Sequence, residues 1–186
     1  VELLYLEKEG EFMDQVPDYV RQTELELSEM ERILIKTTAI RPAVRHGFAC
    51  GKWLQAMGLL FRYALHKLKR TPALAYAAAF DRIKPTEYDI ALDFHGYASA
   101  TTYFLAKKVK AKKRFTWVHG EGCTKDFPYI YQYLRKYDMI LCVSKHLCEQ
   151  VNRELPCYPR YQVAVFKNLI QYRDILNKAV TGPTLP

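Results

Sequence analysis

The sequence lacks the short motifs that mark the commonest nucleotide and hydrolase sites. No G-x-x-x-x-G-K-S/T is present, which excludes a P-loop, and no G-x-G-x-x-G opens a strand–helix unit. G-x-S-x-G is also absent, and with it the common α/β-hydrolase elbow. Neither H-E-x-x-H nor a paired-cysteine metal spacing occurs. The sequence therefore predicts no metal site and no bound cofactor.

The chain also has no apolar run long enough to cross a bilayer and no secretory signal at its start. Both absences favour a soluble or peripheral protein. The cysteines are odd in number and contain no C-x-x-C pair, so reduced thiols in the cytoplasm are a better interpretation than a disulfide or zinc framework. They are Cys50, Cys123, Cys142, Cys148 and Cys157.

What the sequence has in excess is positive charge. The formal net charge is +8. An excess of charge of one sign gives information about binding partners rather than about the fold. Nucleic acid, an anionic membrane surface and a phosphorylated substrate are the three candidate partners, and composition does not choose among them. No RNP, KH or helix-turn-helix signature is present, so charge alone favours nucleic acid.

From Tyr88 onward, short apolar runs alternate with helical patterns. The runs are "YDIALDFH", "RFTWVH", "DMILCVS" and "YQVAVFKN", and the segments between them have helical spacing. Ser144 is expected to cap the helix "KHLCEQVNREL", and Pro128 suits the first turn of an earlier helix. Such alternation predicts an α/β, Rossmann-like, doubly wound domain with a mainly parallel sheet and helices on both faces.

The first eighty residues are less regular. "VELLYL" predicts a strand, and Ser28 with Glu31 forms a capping-box signature. A long helix is expected through "GKWLQAMGLLFRYALHKLKR", either packed on the sheet by an apolar stripe or using its basic side on a membrane. The stripe comprises Leu54, Met57 or Gly58, Phe61, Leu65 and Leu68, and the opposite side comprises Gln55, Arg62, His66 and Lys69.

Polar residues follow each predicted strand of the second half. In an open parallel sheet the ligand crevice lies beyond the carboxyl ends of the strands, so these residues are candidate site residues. Two of the strand ends lead into helix N-termini, which favour anions. Taken singly, Ser144 could be only a helix cap, Asp93 a solvated turn residue and His119 a satisfied turn histidine. The residues are Asp93, His95 and Gly96; His119, Gly120 and Glu121; Ser144 and Lys145; and Lys167 and Asn168.

Three segments resemble the N-terminal half of a bacterial family 4 glycosyltransferase, a two-domain enzyme of the GT-B fold. They are "EYDIALDFHGYASATTYFLAKKVKAKKRFTWVHGEG", "YLRKYDMILCVSKHLCEQVNREL" and "VAVFKNLIQYRDI". "LEKEGEF" is similar to the second strand and turn of such domains. The resemblance implies a Rossmann-like acceptor-side domain over residues 1–170 and an interdomain linker or tail over residues 171–186. It is strongest from Glu87 to Ile170.

The resemblance implies a hexosyltransferase that moves a sugar from a nucleotide-sugar donor, with retention, to a saccharide or lipid-linked acceptor of envelope or capsule polysaccharide. By the same resemblance His119 is the catalytic residue, while Ser144 and Lys145 meet the phosphates. The expected location is the cytoplasm, with peripheral contact to the inner face of the cytoplasmic membrane. The acceptor residues implied are Asp93, His95, Gly96, Tyr97, Gly120 and Glu121, and the membrane residues are Trp53, Arg62, His66, Lys67, Lys69 and Arg70.

The sequence departs from that family in two ways. It contains neither the family's first strand with its glycine-rich loop nor the C-terminal domain that holds the donor, so we expect no turnover from this chain alone. Loss of a central strand leaves exposed pairing edges, and self-association through them is a further expectation. The alternatives are a non-catalytic basic α/β module for an anionic membrane or nucleic acid, and another GT-B enzyme such as a sugar-nucleotide epimerase.

Overall fold

The chain folds into two parallel sheets and a set of helices, as seen in a computed structural model. Residues 1–11, 13–37, 39–69, 74–94, 100–120, 132–155, 162–168 and 172–181 are described. The strands are β1 (Glu2–Tyr5), β2 (Arg21–Glu24), β3 (Thr86–Asp93), β4 (Val109–Val118), β5 (Met139–Cys142) and β6 (Val163–Val165). The helices are α1 (Glu29–Thr37), α2 (Ile40–Ala49), α3 (Trp53–Lys69), α4 (Leu74–Phe80), α5 (Ala100–Lys108), α6 (Lys145–Glu154) and α7 (Tyr172–Thr181), with a short 3-10 turn at Met13–Gln15.

The main sheet has four strands in the order β3-β4-β5-β6, and every neighbouring pair is parallel. Helices flank it, so the predicted α/β, Rossmann-like fold is confirmed. The register sets Asp93 opposite Thr116 and Val118 opposite Cys142. The strands β1 and β2 form a separate parallel pair, in which Glu2 is opposite Arg21. The expected strand in "VELLYL" is β1.

Local capping signals in the sequence are confirmed. The Ser28 backbone N–H donates to Glu31 Oε2 at 2.7 Å, and the Glu31 N–H donates to Ser28 Oγ at 3.4 Å, which completes the capping box of α1. At the start of α6, the Leu147 N–H donates to Ser144 Oγ at 3.1 Å. Of the helix expected to begin at Pro128, residues up to 131 lie outside the described residues, and residues 132–134 are helical.

The passage from α5 to β4 differs from expectation. The helical spacing of "GYASATTYFLAKKV" predicts that Ala100, Tyr103, Phe104 and Val109 share one helix face. In the structure α5 ends at Lys108 and Val109 opens β4, where it pairs with Thr86. Val109 is buried, as a residue on the inner face of either a helix or a strand would be. A single buried β-branched residue therefore fits either period, and the pairing with β3 decides between them.

Two clusters of buried residues form the core. One joins α1–α4 to β3 and α5, with Leu34, Phe80 and Phe104 among its members. The other joins β4 and β5 to α6, with Ile140 and Val151 among its members. Partly buried side chains of α5 pack against both clusters, so this helix connects the two halves of the core.

The expectation that α3 packs on the sheet by its apolar stripe is wrong. Leu54 and Leu68 are 91% and 80% exposed, and Met57 and Phe61 are also exposed. Among the side chains of α3 whose burial is described, Ala56 and Leu59 are buried, on the opposite side of the helix. This buried side of α3 packs against α2 and α4 rather than against the sheet. The helices approach closely there because the side chains between them, such as Ala56 and Gly47, are small.

Candidate functional site

The carboxyl ends of β3, β4, β5 and β6 lie along one edge of the main sheet because all four strands run in the same direction. Asp93 ends β3, and His119 follows the last residue of β4. Ser144 lies two residues beyond the end of β5, at the N-terminus of α6. The structure therefore brings Asp93, His119 and Ser144 to the same edge, as the sequence predicted.

His119 is half-buried and its ring is held in place. Its Nε2 lies 2.8 Å from the backbone oxygen of Phe94, at the end of the neighbouring strand. Because a carbonyl oxygen can only accept, Nε2 carries the proton in this contact. The ring stacks on Trp117, with centroids 5.2 Å apart and planes 24° apart, and lies 4.9 Å from the Phe94 ring. These contacts fix the orientation of the imidazole and place a proton on Nε2.

An aromatic cluster surrounds His119 on the outer side of the sheet. It consists of Phe94, Trp117 and Phe166, and we call it the aromatic cluster below. The Trp117 ring meets Phe94 edge-on at 5.1 Å and Phe166 edge-on at 5.0 Å. Phe94 is 61% exposed, so the cluster is accessible. The indole Nε1 of Trp117 is a buried donor without a hydrogen-bond partner among the described residues.

The sequence analysis missed this cluster, although signals for it are present. Trp117 and His119 are two residues apart, and residues at that spacing share one face of a strand. Phe94 and Phe166 each follow the last residue of a strand. Only the parallel order of the sheet brings these positions together, and that order is a tertiary property.

Asp93 lies on the helix-packed side of the same edge. It is 2% exposed, and its Oδ2 accepts hydrogen bonds from Thr102 Oγ1 at 2.6 Å and Thr116 Oγ1 at 3.4 Å. The interpretation of Asp93 as a solvated turn residue is therefore wrong. These bonds link β3, β4 and α5 directly beneath the site. Contact between Asp93 and an acceptor stays a prediction. The same holds for Gly120, which is half-buried.

Ser144 caps α6, and Lys145 is the exposed first residue of that helix. No acidic residue lies in the first turn of α6, so the positive end of the helix dipole is not offset there. Binding of phosphate at this point stays a prediction. Lys167 and Asn168, which follow β6, are described and exposed. The remaining residues predicted for the site, His95, Gly96, Tyr97 and Glu121, lie outside the described residues.

The residues predicted to contact a membrane are only partly described. Trp53 is 65% exposed, and Arg62 forms an ion pair with Asp81. The side chains of His66, Lys67 and Lys69 lie outside the description, as does the whole of Arg70. In the part of the chain that the structure describes, no helix has the length and apolar character needed to cross a membrane.

A cavity of about 190 Å³ lies away from the strand ends, between α1, α3 and α4. Its wall includes Leu34, Gly58 and the ion pair of Arg62 with Asp81. The described lining of this cavity comes from the helical part of the chain and includes none of the candidate site residues at the carboxyl ends of the strands.

The described cysteines are free thiols. Cys50 is exposed, Cys148 is half-buried and Cys142 is buried in the core. Burial raises the pKa of the Cys142 thiol well above its usual range, so this thiol is a poor nucleophile at neutral pH. Among the described residues, no three His, Cys, Asp or Glu side chains gather as a metal-binding group. Cys123 and Cys157 lie outside the described residues.

Comparison with known proteins does not assign the chain to a family. No model of a protein family matches the chain, and no curated protein matches it either.

Proposed function

We propose that the chain is the acceptor-side half of a glycosyltransferase, and that it is inactive by itself. The whole enzyme moves a hexose from a nucleotide-sugar donor to a saccharide or lipid-linked acceptor of an envelope or capsule polysaccharide. The observation that carries the proposal is the position of His119, which follows β4 at the carboxyl edge of a parallel sheet. The neighbouring strand leads directly into the capped N-terminus of α6.

This arrangement suits the charge that develops in sugar transfer. As the sugar–phosphate bond breaks, negative charge grows on the leaving diphosphate and positive charge on the sugar ring. The backbone N–H groups at the start of α6, together with Lys145, suit the diphosphate. The Nε2 proton of His119 is donated to the Phe94 carbonyl oxygen, which fixes the ring at the strand end, where it would hydrogen-bond a sugar hydroxyl.

The aromatic cluster supports a saccharide ligand at the same edge. Ligand sites are lined mainly by apolar and aromatic side chains, with a few polar groups that fix orientation. Phe94 and Phe166 supply exposed ring surface, and Trp117 supplies a buried indole donor beside His119. A sugar ring placed against this cluster has apolar C–H surface on one side and hydroxyl partners at its rim.

A donor screen with a histidine variant tests the proposal. The protein would carry this chain together with the donor-binding domain that the resemblance implies, and nucleotide sugars would be screened for transfer to saccharide and glycolipid acceptors. We expect His119→Ala to lower kcat/KM at least about a hundredfold, equivalent to about 2.7 kcal/mol of transition-state stabilisation. The matched control is His46→Ala on α2, whose histidine contacts Cys50 away from the strand ends and should leave turnover unchanged.

Two results would count against the proposal. Equal losses in His119→Ala and His46→Ala would assign His119 to folding rather than to chemistry. Absence of transfer with every donor and acceptor would reject the enzyme. This chain without the second domain should give no turnover, since the resemblance assigns the donor to that domain.

The second candidate is a non-catalytic basic module. The net charge of +8 favours it, because a charge of that size attracts anionic surfaces and nucleic acid alike. A module of this kind would bind DNA or RNA with steep salt dependence and would show no donor-dependent reaction in the screen above.

A further inference from the structure

The outward face of α3 is a continuous apolar stripe. Its members, Leu54, Met57, Phe61 and Leu68, recur at intervals of three, four and seven residues, so they share one side of the helix. Each is more than half exposed. Trp53 adds an exposed indole at the N-terminal end of the same surface. We call these five residues the α3 stripe.

The α3 stripe is not an incidental scatter of surface apolar residues. The helix is anchored on its other side, where Ala56 and Leu59 are buried against its neighbours. The core contact of α3 is therefore satisfied by small and medium side chains, while its largest apolar side chains face outward. Isolated exposed apolar residues are common, but a contiguous patch of this kind marks an interaction surface.

The charged residues of α2 and α3 are all basic. From Arg32 to Phe80 the sequence contains no Asp and no Glu. Arg41, Arg45 and Phe48 lie at intervals of four and three residues on α2, and all three are exposed. The Phe48 ring meets the Trp53 ring edge-on at 6.0 Å, which places this basic face of α2 beside the start of the stripe. Lys52, also exposed, immediately precedes Trp53.

We propose that the α3 stripe inserts into the interfacial region of an anionic bilayer, with α3 lying in the plane of the membrane. Leu54, Met57, Phe61 and Leu68 would enter the acyl boundary, and Trp53 would lie at the headgroup level. Arg41, Arg45 and Lys52 would contact lipid phosphates. This occupant fits the acid-free charge pattern, whereas contact between two copies of the same cationic face would bring like charges together.

The length of α3 is consistent with lying on the membrane rather than crossing it. The helix has 17 residues and so spans about 25 Å, less than the roughly 30 Å of a hydrocarbon core. The proposed contact also differs from one made by the basic side of the helix, because Arg62 on that side is already paired with Asp81. The inference goes beyond sugar transfer and rests only on α2 and α3.

Vesicle sedimentation with this chain tests the inference without any sugar donor. The probes are vesicles of phosphatidylcholine alone and of phosphatidylcholine mixed with phosphatidylglycerol in equal parts. Wild type should bind the mixed vesicles, and Leu54→Ser with Phe61→Ser should weaken that binding at least about tenfold. The matched control is Ile175→Ser with Leu176→Ser on α7, which also removes two apolar side chains that are more than half exposed and should leave binding unchanged.

Fluorescence of Trp53 provides a second measurement. The chain has two tryptophans, so Trp117→Phe leaves Trp53 as the single reporter. Its emission should shift to shorter wavelength on addition of mixed vesicles, because the indole leaves water. Circular dichroism of each variant checks that the fold persists, as expected for the four exposed serine positions and for the aromatic replacement Trp117→Phe.

Three results would overturn the inference. Equal binding by the α3 variant and wild type would show that the contact is purely electrostatic. Absence of wild-type binding to mixed vesicles would reject the membrane. A wild-type dimer that the α3 substitutions dissociate, with no vesicle binding, would assign the face to a second copy of the chain. Each outcome is independent of whether the protein transfers sugar.

Discussion

At the scale of single residues, Asp93 is a buried group next to the candidate site, held by two hydrogen bonds. A buried carboxylate is costly unless hydrogen bonds replace its lost water. Thr102 and Thr116 supply those bonds from a helix and from a neighbouring strand, with oxygen–oxygen distances of 2.6 and 3.4 Å. Asp93 therefore fixes where β3 ends, and with it the Phe94 carbonyl oxygen that His119 contacts.

Removing the shorter of these hydrogen bonds, from Thr102 to Asp93, should lower the stability of the fold. Thr102→Val keeps the side-chain volume but takes away the hydroxyl, so we expect the free energy of unfolding to fall by about 1–3 kcal/mol. Thr116→Val, which removes the 3.4 Å contact, is the matched comparison and should cost less. Chemical denaturation of both variants measures the difference. Equal losses would mean that Asp93 does not distinguish the two hydroxyls.

The sequence predicts the position of His119 but not its surroundings. A histidine after an apolar run is placed at the end of a strand by pattern alone, and β4 ends where the pattern said. Its contacts with Phe94 and Trp117 need the pairing of β3 with β4. Asp93 was misjudged for the same reason, because a carboxylate after a strand is solvated unless hydroxyls from other elements enclose it.

At the scale of elements, Asp138 joins β4 to β5. Its carboxylate accepts from Lys113 Nζ at 2.8 Å and from the Arg114 N–H at 2.9 Å. Its own N–H donates to the Arg114 carbonyl oxygen at 2.8 Å. The Lys113 hydrogen bond, followed by that of the Arg114 N–H, holds the pKa of the Asp138 carboxyl below its usual range.

The lowered pKa makes this link dependent on pH. A carboxyl whose pKa falls on folding adds stability above its unfolded pKa and loses that contribution as the pH drops through the folded value. Asp138→Asn should therefore cost on the order of 1 kcal/mol at neutral pH, a figure that allows for solvent around this partly exposed side chain.

Denaturation curves of Asp138→Asn and wild type at several pH values measure the effect. The difference between them should narrow as the pH falls below about 4. Asp89→Asn, which breaks an ion pair with Lys112 between two strongly exposed side chains, should change stability little at any pH. A difference for Asp138→Asn that is the same at every pH would contradict the assigned role of the charge.

Helix α3 shows what periodicity leaves undetermined at this scale. The spacing of Leu54, Phe61 and Leu68 identifies one apolar side of a helix. It does not identify what covers that side, and here the core contact is made by Ala56 and Leu59 instead. Small residues carry little weight in an apolar pattern, yet they allow the closest packing between helices. The sequence therefore predicted the helix and misassigned its buried face.

At the scale of the whole molecule, Glu2 connects the two sheets. Its carboxylate accepts from Thr23 on β2 at 2.6 Å and from the Tyr88 hydroxyl on β3 at 2.8 Å. The Thr23 hydrogen bond, and then that of Tyr88, lowers the pKa of the Glu2 carboxyl. Leu4, Leu6 and Tyr88 pack against the same core cluster, so polar and apolar contacts both join the sheets.

Tyr88→Phe should loosen this connection selectively. The ring and its packing are kept and one hydrogen bond to a carboxylate is lost, so the opening free energy of β1 and β2 should fall by on the order of 1 kcal/mol. Hydrogen–deuterium exchange should then accelerate in Glu2–Tyr5 and Arg21–Glu24 while β4 and β5 keep their protection. Tyr5→Phe is the matched control and should leave the exchange rates as they are.

Uniform acceleration across both sheets in Tyr88→Phe would contradict a local connection. The expected self-association through strand edges stays a prediction. In the described residues, β1 and β2 of the two-stranded sheet and β3 and β6 at the edges of the main sheet each pair on one side only.

The order of the main sheet has a consequence for how the chain acquires its structure. Because β3, β4, β5 and β6 lie side by side in the order in which they are synthesised, each new strand finds its neighbour already in place and closes only one crossover connection. The bond between Glu2 and Tyr88 instead joins residues 86 positions apart. We expect the large sheet to grow outward from β3 during translation, and the N-terminal strand pair to need β3 before it can dock.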